Sequence, residues 1–343
     1  MSVSKELIQE HRALTREEAR SVLHEILTGD VKDSEIAALL TVMAQRGETA
    51  DELTGFAEAM LELSVPVPLT EEERARLIDT CGTGGDDRGT FNISTGAALV
   101  AAAAGARVAK HGNRAVTSKC GSADVLEALG VAVALPPELA VESLRTAGFM
   151  FLYAPALHPA MKRVAPVRRA LGFRTIFNLA GPLTNPAGAR AQVMGVFSAN
   201  RVDVVAETLQ RLRVRHALVV HGSDGLDELT TTGPSYVAEV QGTAPVRRFA
   251  MTPEEAGVRR STLPELAAGQ DAAQNAVVLE RIFTGERGAK REIVLLNAAA
   301  ALVTGKVASD LREGVERAAE AIDSGAVLET LKKLREFSAR VIG

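Results

Sequence analysis

A glycine turn, a helix start, a lysine and a pair of carboxylates are the groups in this chain whose types and spacing suit chemistry. The turn is Gly82-Thr83-Gly84-Gly85-Asp86. Glycines there reach positive φ and let backbone N–H groups approach a ligand. Successive N–H groups in such a turn make an anion-binding nest. Asn92-Ile93-Ser94-Thr95-Gly96 follows and leads into Ala97–Ala104. Ser94 or Thr95 is the expected N-cap and Gly105 the expected stop. A helix start presents unpaired N–H groups and the positive end of its dipole to a phosphate. A basic, polar loop is expected at Lys110-His111-Gly112-Asn113-Arg114. Farther on, the run from His221 to Glu228 sets Asp227 beside Glu228. Alone, such a pair is usually a solvated turn. Beside a phosphate loop it suits Mg²⁺, which takes oxygen ligands and bridges carboxylates to substrate phosphates. Together these parts suit a diphosphate-bearing substrate. No nucleophile–base dyad or zinc spacing stands out, so positioning and leaving-group stabilisation fit better than covalent catalysis. The glycine turn matches neither the P-loop nor the Rossmann fingerprint.

Positioning these groups requires strands that end beside them. The first 65 residues read as helices, with capping boxes at Thr15–Glu18 and Thr49–Glu52. Ile36, Leu39, Leu40 and Met43 have helical spacing, and Gly47 is a stop. Val65-Pro-Val-Pro68 breaks the pattern and marks a boundary, giving a helical domain over 1–66 and an α/β domain over 70–343. In the second part, strands are expected at Ala75–Asp79, Arg107–Ala109, Val131–Leu135, Phe149–Tyr153, Gln192–Phe197 and Ala217–Val220, with helices at Pro136–Ala147 and Arg201–Arg213. Val237–Phe249 is expected to supply edge strands, and helices fill the region after Gln274. This alternation predicts an α/β fold with a mainly parallel central sheet flanked by helices. Such sheets bind ligands at the carboxyl ends of their strands. Gly181–Pro186 is either a hinge or a rigid connector. Asn297, in an apolar helix, reads as a satisfied core amide.

Of the 343 residues, 46% are apolar and 24% charged, as in an ordinary globular protein. A net charge of −4 argues against a general nucleic-acid binder. Ala97–Ala104 is too short to span a bilayer, which takes about 20 apolar residues. The opening residues lack a secretory pattern and only Cys81 and Cys120 are present, so a cytoplasmic protein with inert thiols is expected.

GTGGD, TFNIST, VAKHGNRAVTSKCGSADVLEALG, HPAMKRVAPVRRALGFRTIFNLAGPLTNP and HGSDGLDE occur in that order. With them the chain resembles the anthranilate phosphoribosyltransferase family over nearly its whole length. Pyrimidine nucleoside phosphorylases use related loops, but the complete set favours the transferase. A nucleic-acid-binding relative would leave the acidic pair unexplained. The resemblance implies that anthranilate's amine displaces pyrophosphate from C1 of 5-phosphoribosyl 1-diphosphate, a step of tryptophan synthesis. It implies that Gly82, Thr83, Gly84, Gly85, Asp86, Thr90, Asn92, Ser94, Thr95, Lys110 and Ser122 bind the diphosphate substrate. It further implies that Gly82, His111, Asn113, His158 and Arg168 line the anthranilate site, with Arg168 anchoring the carboxylate, and that Ser94, Asp227 and Glu228 hold Mg²⁺, two ions per subunit. An aniline-type amine is neutral at pH 7, so no strong base is needed; His111 either takes its proton late or lines the pocket, and lining is favoured. The resemblance also implies a homodimer formed through the N-terminal helices, the helical domain being completed near 158–172. Asp87 and Arg88 stand where small residues are usual, and Lys119 and Cys120 where serines are usual.

Overall fold

The structure is a computed structural model that describes residues 12–115 and 120–342. Helices α1 (Arg16–Thr28), α2 (Asp33–Arg46) and α3 (Ala50–Glu62) form the small N-terminal helical domain. The Thr15 and Thr49 capping boxes both form, satisfying the first N–H groups of α1 and α3. After the proline linker, α4 (Glu71–Arg76) leads into β1 (Leu77–Asp79), so the strand begins two residues later than expected.

The α/β domain continues through α5 (Ile93–Ala103), β2 (Arg107–Gly112), α6 (Ser122–Ala128), α7 (Pro137–Ala147) and β3 (Phe149–Tyr153). A helical connection follows: α8 (Ala154–Leu157), a 3₁₀ turn, α9 (Ala165–Leu171) and α10 (Ile176–Ala180). Then come β4 (Ala191–Gly195), α11 (Val202–Arg211), β5 (His216–Gly222), β6 (Ser235–Gln241) and β7 (Arg247–Met251). Four helices close the chain: α12 (Ala272–Phe283), α13 (Ala289–Thr304), α14 (Leu311–Asp323) and α15 (Ala326–Ile342).

The seven strands make one sheet in the order β3-β2-β1-β4-β5-β6-β7. Pairing is parallel from β3 to β5 and antiparallel for β6 and β7. Side chains alternate across it, as the two-residue strand period requires. Val193, Leu218 and Val220 pack towards α5, α12 and α13. Met194, Ala217 and Val219 pack on the other face, in a core shared with α1–α3 and with Val164, Val167, Ile176 and Phe177 of the helical connection. The N-terminal helices therefore close over one side of the sheet rather than burying a separate core.

Val131–Leu135 is not a strand. β3 already forms the sheet edge beyond β2, and the buried Ala132 N–H donates instead to Ser338 Oγ on α15 (2.8 Å). Lys110 and His111 do not lie in a loop either. They pair with Phe151 and Leu152 as the last part of β2, which fixes their side chains far better than a loop would. Among the described residues no helix is long and apolar enough to cross a membrane.

Candidate active site

The strand order reverses direction between β1 and β4, with consecutive connections running outward on either side. Such a switch point leaves a crevice at the carboxyl ends of the strands. The glycine turn leaves β1 into this crevice. Gly84 (φ 63°), Gly85 (φ 72°) and Gly89 (φ 69°) all take left-handed backbone, and so does Asp87 (φ 56°). The turn is sewn to the end of β4 by Thr83 N–H to Gly195 O (2.9 Å) and by Phe197 N–H to Thr83 Oγ1 (3.0 Å). At Gly195 there is no room for a side chain, because a Cβ would fall on the Asp227 carbonyl.

The acidic loop arrives from β5. Asp224 folds it by accepting from Thr230 Oγ1 (2.7 Å) and Thr232 Oγ1 (2.6 Å). Asn297, on α13, ties its far end: Leu229 N–H donates to Asn297 Oδ1 (3.1 Å) and Asn297 Nδ2 donates to Leu229 O (2.9 Å). It is a satisfied core amide, and it also positions the residue next to Glu228. Asn297→Leu should destabilise the fold by about 2–4 kcal/mol, since it leaves two buried backbone groups of Leu229 facing methyl carbons. Urea unfolding checks this; an unchanged midpoint would mean the loop is held elsewhere.

With both ends fixed, the two carboxylates touch both anion-binding elements. Gly84 N–H donates to Asp227 Oδ2 (2.7 Å), and Ser94 N–H donates to Glu228 Oε1 (3.2 Å). Ser94 is not the N-cap of α5. Asn92 occupies that position, and Ser94 lies in the first turn with its N–H on Glu228 and its Oγ facing Lys110 Nζ (3.4 Å). Thr95 is buried one residue further into the same turn. Lys110 Nζ also donates to Thr80 O (3.2 Å) and Oγ1 (3.1 Å). Burial, and then the Glu228 and Asp86 charges, hold the Asp227 carboxyl well above its usual range. Burial lifts Glu228 to about 7, opposed by Lys110. Two carboxylates and a hydroxyl make an all-oxygen donor set, which fits Mg²⁺.

The remaining diphosphate-side candidates are less tightly grouped. Asn92 Nδ2 donates to Cys120 O (3.1 Å), while its buried Oδ1 lacks a partner among the described residues. Thr90 bridges to Ala267. Ser122 Oγ donates to Asn113 O (3.2 Å), and Asn113 is exposed. Lys119 lies outside the described residues.

On the other side of β2 the imidazoles of His111 and His158 meet at 5.2 Å, both buried. His158 Nε2 lies 3.0 Å from Thr184 O, whereas neither His111 nitrogen makes a well-formed hydrogen bond among the described residues. Burial, with His158 alongside, pushes His111 down to about 3. Its unfolded-state imidazole takes a proton below about 6.5, so acid favours the unfolded chain between those values. On going from pH 7 to pH 5, wild type should lose on the order of 2 kcal/mol more than His111→Gln. Urea midpoints at the two pH values test this, and equal acid sensitivity would show that His111 is not buried neutral. Arg168 is half-buried on α9, with its guanidinium 5.3 Å over the Phe177 ring. Burial lowers its pKa, and no described carboxylate pairs with it.

Several organising residues carry no motif signal of their own. Asp79, at the end of β1, is fully buried and raised to about 6 by burial. It accepts from Cys81 N–H (3.0 Å), His111 N–H (3.1 Å) and Asn185 Nδ2 (2.8 Å). Asn185 Nδ2 also donates to Ala109 O (2.8 Å), so the Gly181–Pro186 segment is a pinned connector. A lone Asp in an apolar strand just before a glycine turn was the available clue. Burial pushes both thiols up, as suits inert cysteines.

Residues 3–64 match the helical bundle domain, and residues 74–328 the a/b domain, of a glycosyl transferase family. An anthranilate phosphoribosyltransferase of Pelotomaculum thermopropionicum is 50% identical, covering 96% of this chain and 94% of the relative. The chain belongs to the anthranilate phosphoribosyltransferase family. A crystal structure of the Thermus thermophilus family member is 44% identical and superposes with a TM-score of 0.92, over 99% of this chain and 100% of that one. The Saccharomyces cerevisiae member, solved with PRPP and Mg, is 26% identical with a TM-score of 0.89, over 99% and 97%.

Proposed function

We propose that this chain transfers the 5-phosphoribosyl group of 5-phosphoribosyl 1-diphosphate to the amine of anthranilate, as in tryptophan biosynthesis. The C1–O bond to pyrophosphate breaks, the amine nitrogen bonds to C1, and the products are N-(5-phosphoribosyl)anthranilate, pyrophosphate and a proton. One observation carries this reading: Asp227 and Glu228 already hydrogen-bond the glycine-turn N–H and the α5-start N–H. A metal-suited pair thus lies against both groups suited to phosphate.

In this reading Asp227, Glu228 and Ser94 hold Mg²⁺, two ions per subunit. Bound Mg²⁺ supplies Lewis-acid neutralisation of the leaving diphosphate. The N–H groups of Gly82, Gly84 and Gly85 and of the α5 start cradle phosphate oxygens, aided by Lys110. Asp86 and Asn92 orient the donor, with Thr83, Thr90, Thr95 and Ser122 around it. Arg168 receives the anthranilate carboxylate, where a planar guanidinium fixes orientation as well as charge. His111, His158, Asn113 and Gly82 line the acceptor side. A neutral His111 that resists protonation down to about pH 3 is a poor base, and the proton is left to solvent. The domains are 1–66, completed by 158–172, and 70–343. The protein works in the cytoplasm as a homodimer through its N-terminal helices.

The test is the loss of anthranilate fluorescence on adding the donor with Mg²⁺, repeated with a chelator. Rapid loss that the chelator abolishes is expected. No loss in any divalent metal, from folded protein, would overturn the assignment and make phosphorolysis of uridine or thymidine the next assay.

A further inference from the structure

Arg174 sits in the turn between α9, which carries Arg168, and α10. Its Nη2 donates to the Gly85 carbonyl and lies 3.2 Å from Asp87 Oδ2. Its guanidinium also stacks 4.5 Å over the Phe197 ring, just beyond β4. Phe197 in turn donates its N–H to Thr83 Oγ1. The glycine turn is thus gripped at Thr83 from β4, at Gly84 from the acidic loop and at Gly85 and Asp87 by one arginine. The first two grips act on the near end of the turn. Beyond them, Gly85, Asp87 and Gly89 all hold left-handed backbone, which glycine adopts at no cost but which the unfastened chain has no reason to keep.

We propose that Arg174 is a positioning residue that latches the far half of the glycine turn, pre-forming the diphosphate cradle. The proposal rests on the reaction assigned above and adds a residue to it. Arg174 needs no contact with substrate for this role. An exposed ion pair by itself contributes about 0–1 kcal/mol; here the same guanidinium also binds a carbonyl and is oriented by an aromatic face. Asp87 supplies the second acceptor of the same Nη2 and tolerates the positive φ. Because the latch holds the nest and not the acceptor pocket, its loss should fall on donor binding.

Three variants test this: Arg174→Gln, Arg174→Lys and Asp87→Asn, the last keeping a residue that accepts left-handed backbone. Arg174→Gln should raise the KM for the diphosphate donor about tenfold, the effect of one hydrogen bond to a charged group. Its kcat, anthranilate KM and unfolding midpoint should stay near wild type. Arg174→Lys, with charge but no fork, should fall between, and Asp87→Asn should give a smaller rise. Exposed Arg88 lies in the same turn and offers a second readout. Because cleavage tracks the open population when reclosing is fast, trypsin should cut after Arg88 about tenfold faster in Arg174→Gln. Unchanged cleavage, or equal rises in both KM values, would overturn the latch. If wild type transfers nothing, the assigned reaction fails, while the Arg88 cleavage rates still decide the latch.

Discussion

Asp227→Asn combined with Glu228→Gln should lower kcat/KM by about 10²–10³-fold, the range for losing a preorganised electrostatic group, and should leave the chain folded. The amide oxygens of the two new side chains can still accept from Gly84 and Ser94 N–H, so the loop geometry survives. What disappears is the negative charge that draws Mg²⁺ and, through it, the diphosphate. Stability should move the other way. Burial raises both carboxyls, and a raised folded-state carboxyl means that the unfolded chain holds fewer protons at intermediate pH. Wild-type stability therefore falls as pH rises from the ordinary glutamate value to about 7, and ionised carboxylates are a liability above that. The double variant should escape this fall and match or exceed the wild-type unfolding midpoint at pH 8 without metal. Initial rates across a Mg²⁺ titration and thermal unfolding at pH 8 check both halves. An unchanged titration would remove the pair from metal binding.

Arg168→Ala should raise the KM for anthranilate by roughly 10- to 150-fold, equivalent to about 1.5–3 kcal/mol for a charged hydrogen-bonded contact, while the donor KM stays within about twofold. The structural reason is that Arg168 is desolvated and, among the described residues, has no ion-pair partner, its guanidinium lying over the Phe177 face. A cation kept in that condition is set to receive a carboxylate. Arg168→Lys should recover part of the loss, since it restores charge but not the planar fork. Benzoate-type competitors should lose affinity in parallel. Equal rises in both substrates' KM values would mean that Arg168 supports the fold of α9 and not the acceptor.

The helical start of the chain, the mainly parallel sheet, the glycine turn and the acidic pair were legible because each depends on local chemistry. Capping boxes are written in adjacent residues, strand alternation in a two-residue period, and a glycine turn in the residues that allow positive φ. The same locality explains the errors. Val131–Leu135 has strand composition, but a strand needs a neighbour, and β3 had taken the sheet edge. Ser94 looks like a cap, yet the helix begins one residue before it, and its free first-turn N–H goes to Glu228, far along the chain.

By itself the sequence pointed to groups suited to phosphate and Mg²⁺ and to the α/β sheet that carries them, because residue type and short-range spacing hold that information. Tertiary structure alone decided how they meet: Asp227 on Gly84, Glu228 on Ser94, Asp79 joining β1, β2 and the connector, Asn297 tying the acidic loop, and Arg174 reaching Gly85 and Asp87. These are contacts between residues tens to more than a hundred positions apart. They form only when strand order brings distant ends to one crevice, and burial there, rather than residue type, sets the charge of Asp79, Glu228 and His111.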